Sequence, residues 1–191
     1  MIVDLVRHAD TGRSGHLDGR SNPPLREGAT AALCRRHAGI AWTRIASSPL
    51  RRARDTALAL APGRPVHVDA RWAELDFGDW DGLHRDTLPA DALAAFHADP
   101  LRHPAPNGER RDAFRARIDE ALRSLLASGD GGPALVVAHA GPLRMALSLA
   151  CGLPLDALWA LRIDYGTRLR LRVEAGGDGR PWGELLELSQ P

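Results

Sequence analysis

The chain contains no lysine: the 25 residues that carry its basic side-chain charge are all arginine. A phosphate-binding loop of the GxxxxGK[ST] type needs its lysine, and so does an enzyme that works through a Schiff base, so both are excluded. Whatever anion the protein handles, guanidinium groups hold it. Arginine in place of lysine, with abundant alanine and leucine, is also the mark of a GC-rich coding sequence, so the positions of the arginines inform where their number does not. Cysteine is scarce too. Cys34 and Cys151 lie in segments that read as helices, lack metal-ligand spacing and are too few for a disulfide framework, which makes them expected core residues of a reducing cytoplasm. No apolar run approaches membrane-spanning length, and no basic region precedes the short apolar stretch in MIVDLVRHAD. The expectation is a soluble, unexported, cytoplasmic protein. Charge of one sign is nowhere concentrated: 25 basic and 24 acidic residues leave a net charge of +1, with no basic face for nucleic acid and no acidic tail.

What is present suits a single domain over residues 1–191, since 44% of the chain is apolar and no repeat or Ser/Gly linker divides it. Ile2 to Val6 reads as a central strand, broken only by Asp4, and the long loop from Arg7 to Pro24 has the length of a functional one. A helix is expected over Glu27 to His37, a strand over Arg44 to Ser47 and a helix over Leu50 to Leu60, ending before Pro62-Gly63. Phe114, Ile118, Ala121, Leu122, Leu125 and Leu126 recur at helical spacing. After the Gly129-Asp130-Gly131-Gly132 break, Ala134 to Ala138 has the unbroken apolar character of a strand buried on both faces, and Pro142 fits the first position of a helix closed by Gly152 and Pro154. Leu169 to Val173 and Glu184 to Leu188 read as closing strands. Strands alternating with helices give an α/β fold, a three-layer α/β/α sandwich with a largely parallel sheet.

In such folds ligands gather where strands end, and both clear strands end in histidine: Leu5-Val6 runs into Arg7-His8, and Val137-Ala138 into His139. A histidine just before a helix start lies beside free N–H groups and the positive end of the helix dipole, which suits an anion. Three arginines, Arg51, Arg52 and Arg54, crowd the first turn of the second helix, where cations are unfavourable unless an anion compensates them. In Trp72-Ala73-Glu74-Leu75-Asp76-Phe77-Gly78-Asp79-Trp80, acids alternate with large apolar rings that could desolvate a carboxyl group and raise its pKa.

Leu5-Val6-Arg7-His8 with Thr11, Ser47-Ser48-Pro49-Leu50-Arg51-Arg52-Ala53, Ala73-Glu74-Leu75-Asp76-Phe77-Gly78-Asp79-Trp80-Asp81-Gly82 and Val137-Ala138-His139-Ala140-Gly141-Pro142-Leu143-Arg144 resemble, in order and over nearly the whole chain, the successive motifs of the histidine phosphatase superfamily, the phosphoglycerate mutase-like family. The short length and Gly19-Arg20-Ser21-Asn22-Pro23-Pro24-Leu25 are similar to the small bacterial phosphatases, α-ribazole phosphatases of cobalamin synthesis among them. The resemblance implies that His8 is the nucleophile, that Arg7 and Arg52 hold phosphate, that a protonated His139 joins them and that Glu74 protonates the leaving group, with Asp76 the competing donor. It further implies substrate contacts at Gly19, Asn22 and Trp80, a lid over residues 83–106 bearing His84, His97 and His103, no cofactor and no metal. A small phosphorylated substrate is the expected partner, with no nucleic acid and no membrane. The reaction implied is hydrolysis of a phosphomonoester through phosphohistidine. The alternatives are a mutase-type phosphotransferase, a protein phosphohistidine phosphatase, a phosphate-binding module without turnover, and a metallophosphoesterase built on His8, Asp10, His16 and His139. The chain departs from the family pattern at Ala9 and Ala140, where glycine is usual, at Asp10 for glutamate and at Asn22 for aspartate. A positive φ at either alanine would strain it.

Overall fold

A computed structural model describes residues 1–99, 102–127 and 132–191, the side chain of His97 excepted. A six-stranded sheet runs through the centre in the order β3-β2-β4-β1-β5-β6. β1 (Ile2–Arg7), β4 (Ala134–Ala138), β2 (Arg44–Ser47) and β3 (His67–Val68) are parallel; β5 (Arg168–Ala175) pairs antiparallel with β1, and β6 (Pro181–Ser189) antiparallel with β5. The sheet is thus mostly parallel with an antiparallel edge.

Side-chain alternation makes the layers. Within β4, Ala134, Val136 and Ala138 join the apolar cluster of α4 (Arg111–Ala127) and α5 (Ala140–Cys151). Leu135 and Val137 join the opposite cluster, formed with α1 (Ala31–Arg36) and α2 (Arg51–Leu60). A strand sandwiched in this way needs apolar residues at every position, which is why β4 reads as a continuous run. In β1 the exception is Asp4, fully buried on the α1/α2 side. It accepts from Trp42 Nε1 at 2.7 Å and from Arg170 Nε and Nη2 at 2.9 Å each, the pairing a buried carboxylate requires.

Several boundaries move. α1 begins at Ala31, because Gly28 at φ +71° breaks the helix expected from Glu27. α5 begins at Ala140, so Pro142 is its third residue, still in the first turn where a missing N–H leaves no gap in the ladder. The expected lid contains a helix that the sequence pattern did not announce, α3 (Ala90–Ala98), and the Gly129-Asp130-Gly131 break lies outside the described residues. Cys34 and Cys151 are half-buried rather than core, and Cys34 Sγ donates to the Ala59 carbonyl. Among the described residues no helix is long and apolar enough to cross a membrane.

Candidate active site

The ends of the adjacent strands β1 and β4 bring His8 and His139 edge to face, with ring centroids 5.0 Å apart. Both are almost wholly buried, at 4% and 1% exposure. His8 Nδ1 lies 2.8 Å from the Ala9 carbonyl, which can only accept, so Nδ1 carries the proton and Nε2 presents a lone pair. Burial, and then the charges of Arg7 and Arg52, hold the His8 imidazole well below its usual pKa. The same holds for His139, where burial leads, followed by Arg52, His8 and Arg7. Burial and the neighbouring positive charges thus disfavour an imidazolium at His139 in the free site, where the resemblance implies a protonated ring beside phosphate.

His139 Nε2 lies 2.8 Å from Ser48 Oγ at the end of β2, and its Nδ1 is buried with no partner. Ser48 Oγ also accepts from the Leu50 amide at 3.2 Å, which leaves the Ser48 hydroxyl proton free to point at His139.

The first turn of α2 separates its three arginines. Arg51 and Arg54 are exposed and pair with Asp55, so these two cations are compensated by the helix itself. Arg52 alone points inward, 1% exposed, donating from Nη1 to the Ser21 carbonyl at 2.7 Å and from Nη2 to the Asp18 carbonyl at 2.6 Å, with Nε buried and unpartnered. Arg7 matches it: Nη1 donates to the Ile163 carbonyl at 2.7 Å, and Nε is again buried without a partner. Burial lowers both guanidinium groups from their usual pKa.

Glu74 reaches the start of α5. Its Oε1 accepts from the Leu75 amide at 2.8 Å and its Oε2 from the Gly141 amide at 3.4 Å. Arg117 on α4, which the sequence did not single out, fixes this segment by donating to the carbonyls of Arg71, Ala73 and Glu74 while gripping Glu109 through two bonds. Asp76 is committed to Arg20, 2.6 Å away, and to the Gly78 amide.

Of the expected substrate contacts, Gly19 lines a cavity of about 560 Å³ together with Glu74, Arg20, Asn107, Arg110 and Arg117. A Cβ at Gly19 would lie 2.5 Å from the Leu75 carbonyl oxygen, so only glycine fits. Asn22 serves the helix instead, its Oδ1 accepting from the Arg51 amide at 2.7 Å to cap α2. Trp80 is a core residue packed on Phe96, and Trp72 is buried in the same cluster, so neither faces the cavity. The expected lid is joined to residues 15–17 by Leu17 N to Leu83 O and Arg85 N to Gly15 O, each 2.9 Å. His84 meets His16 edge to face at 4.9 Å, and His103 is exposed.

The departures at Ala9 and Ala140 carry no backbone strain. Neither Ala9 nor Ala140 has a positive φ; that conformation falls to Gly12 and Gly15 in the loop, and Ala140 is helical. Asp10 turns to Arg26 and the Gly12 amide. The alternative metal set does not assemble, since His16 faces His84 and Asp10 faces Arg26, and among the described residues no group of three or more His, Cys, Asp or Glu could hold a metal ion.

A mostly parallel sheet with paired histidines at two adjacent strand ends is the architecture of the phosphoglycerate mutase-like class. The chain belongs to the histidine phosphatase superfamily (branch 1), whose model matches residues 3–180, and it is a phosphatase of that type. It is 32% identical over 178 residues to an adenosylcobalamin/alpha-ribazole phosphatase of Salmonella typhimurium, covering 87% of each chain. Among solved structures it resembles a putative alpha-ribazole-5'-P phosphatase of Escherichia coli (26% identity, TM-score 0.81, 100% of this chain and 96% of that one). It also resembles a mycobacterial glucosyl-3-phosphoglycerate phosphatase (28% identity, TM-score 0.82, 96% of each).

Proposed function

We propose that the protein hydrolyses a phosphomonoester by way of a phosphohistidine formed on Nε2 of His8, without a metal ion. One observation carries the reading. His8 is locked by Ala9 in the tautomer that exposes Nε2, among Arg7, Arg52 and His139, each of which retains a buried ring or guanidinium nitrogen with no protein partner. Buried polar atoms are normally paired, and a phosphoryl group supplies oxygens for such atoms.

In the first step the His8 Nε2 lone pair forms the N–P bond as the P–O bond to the leaving group breaks, and Glu74 gives that oxygen a proton. In the second, water attacks phosphorus and gives a proton to the Glu74 carboxylate, and the N–P bond breaks to release phosphate and neutral His8. Phosphoryl transfer receives little covalent help from a protein, so positioning and cations around the equatorial oxygens do the work. Arg7 and Arg52 provide the charge. His139 contributes a neutral donor: with Ser48 giving its hydroxyl proton to Nε2, the ring proton sits on Nδ1.

The leaving group occupies the cavity beside Glu74, whose volume suits a small metabolite. Given the relative's name, α-ribazole 5'-phosphate is the first substrate to try, and residues 83–106 act as a lid. Mixing the enzyme with a labelled phosphomonoester and quenching should trap an acid-labile phosphoenzyme that His8→Ala lacks. Isomerised product in place of free phosphate would instead make it a mutase, and loss of turnover in EDTA restored by a divalent ion would sink the metal-free mechanism.

A further inference from the structure

Tyr165 is the chain's single tyrosine, it lies outside every motif the sequence singled out, and it sits against the site. Its ring lies under the Arg7 guanidinium, 4.0 Å from Cζ to the ring centroid, and 5.3 Å from the His8 ring. Its hydroxyl is 3.4 Å from Thr11 Oγ1 in the loop after β1. The ring belongs to neither apolar cluster and is only half-buried, so packing the core does not account for it.

The backbone around it holds the same two residues. Gly166 N donates to the carbonyls of Arg7 and His8 at 3.1 and 3.2 Å, Arg7 N donates to the Thr167 carbonyl at 3.0 Å, and the Ile163 carbonyl takes Arg7 Nη1. Residues 163–167 thus grip Arg7 at its amide, its carbonyl, one terminal nitrogen and one face of its guanidinium. Among the described residues Arg7 makes no salt bridge, and the contacts that orient its guanidinium are a carbonyl and an aromatic face.

We propose that Tyr165 is a positioning residue: its π face holds the Arg7 guanidinium in the orientation that leaves Nε–H free for a phosphoryl oxygen, and its hydroxyl ties that arrangement to the Thr11 loop. The aromatic face attracts the cation electrostatically without competing for its N–H donors, which a carboxylate would do. The inference rests on the phosphate-site reading above.

The test is a double-mutant cycle read by equilibrium binding of inorganic orthophosphate, alongside kcat and KM for p-nitrophenyl phosphate. Tyr165→Leu should weaken orthophosphate binding roughly tenfold, as loss of a partly desolvated cation–π contact predicts. Tyr165→Phe, which keeps the ring, should stay within about threefold of the parent, since only the long hydroxyl contact is lost. In an Arg7→Ala background, Tyr165→Leu should add nothing. Full additivity of Arg7→Ala and Tyr165→Leu, or equal losses in the Phe and Leu variants, would overturn the proposal. If the Leu variant does not fold, Tyr165→Trp replaces it: retained binding in Trp and Phe with loss in Tyr165→Gln supports the π contact, and equal binding in all three overturns it. Orthophosphate binding without turnover in the parent protein would defeat the hydrolase reading and leave the clamp standing, whereas failure to bind orthophosphate at all would defeat both.

Discussion

The imidazoles of His8 and His139 meet edge to face at 5.0 Å, and burial together with Arg7 and Arg52 disfavours the charged form of both. Two titratable rings in contact, both depressed, make the folded state a poor proton acceptor where the unfolded chain is an ordinary one.

Stability should therefore fall as the pH drops below about 6.5, the ordinary histidine value, because the unfolded chain binds protons that the folded one does not. Each depressed histidine steepens the loss by at most about 1.4 kcal/mol per pH unit, and the buried His37 adds to the effect. Urea unfolding between pH 7.5 and 5.5 checks this, with His139→Gln showing a shallower slope than the parent. The acid limb of kcat/KM should likewise lie below pH 6.5, since the nucleophile stays unprotonated there. A limb at the free-histidine value would contradict the structure.

Gly141 and Glu74 share a space with no room for a methyl group unless the carboxylate moves: a Cβ on Gly141 would collide with Glu74 Oε1. Gly141→Ala should displace the carboxylate and act like Glu74→Gln. Loss of a general acid removes a factor of about 10² to 10⁴ for an alkyl phosphate. With p-nitrophenyl phosphate, whose leaving group needs no proton, both variants should retain most of the first-step rate in a burst measurement.

Among the arginines of α2, only Arg52 should matter. Arg52→Lys loses the planar fork that reaches two carbonyls of the 18–21 loop, and activity should drop by at least about tenfold. Arg51→Lys, at an exposed pair with Asp55, should change stability by less than about 0.5 kcal/mol and leave kcat unchanged, as should Arg35→Lys. Equal losses at Arg52 and Arg51 would refute the division.

Asp4→Ala should destabilise the fold by about 3–5 kcal/mol, the range for breaking a buried pair, because Arg170 and Trp42 Nε1 lose their shared acceptor. Denaturant melts at pH 7.5 read this directly. Asn22→Ala should cost about 1 kcal/mol as a lost helix cap and leave substrate selectivity alone. A changed substrate profile with unchanged stability would restore Asn22 to the role first expected of it.

Asp81 shows a kind of order that the sequence hides. Its two carboxylate oxygens take the amides of Gly19, Arg20 and Ser21 and the Ser21 hydroxyl at 2.6–2.8 Å, so one acid shapes the loop that Arg52 holds from the other side. Contacts between residues far apart in the chain leave no periodic trace, whereas a strand buried on both faces must be apolar throughout.

That difference separates what the sequence determined from what only the tertiary structure decided. The apolar runs of β1 and β4, and the histidines that end them, were readable because local constraints on burial and strand termination act along the chain. Lysine's absence established that no ammonium side chain serves the site, and the order of motifs pointed to the family. Which arginine turns inward, that the pocket disfavours charge on His139, that Trp80 packs the core while Arg117 fixes Glu74, and that the lone Tyr165 lies against Arg7 were decided in three dimensions. Each depends on the desolvation and charge that other segments bring to a residue, and those belong to the folded neighbourhood rather than to the residue itself.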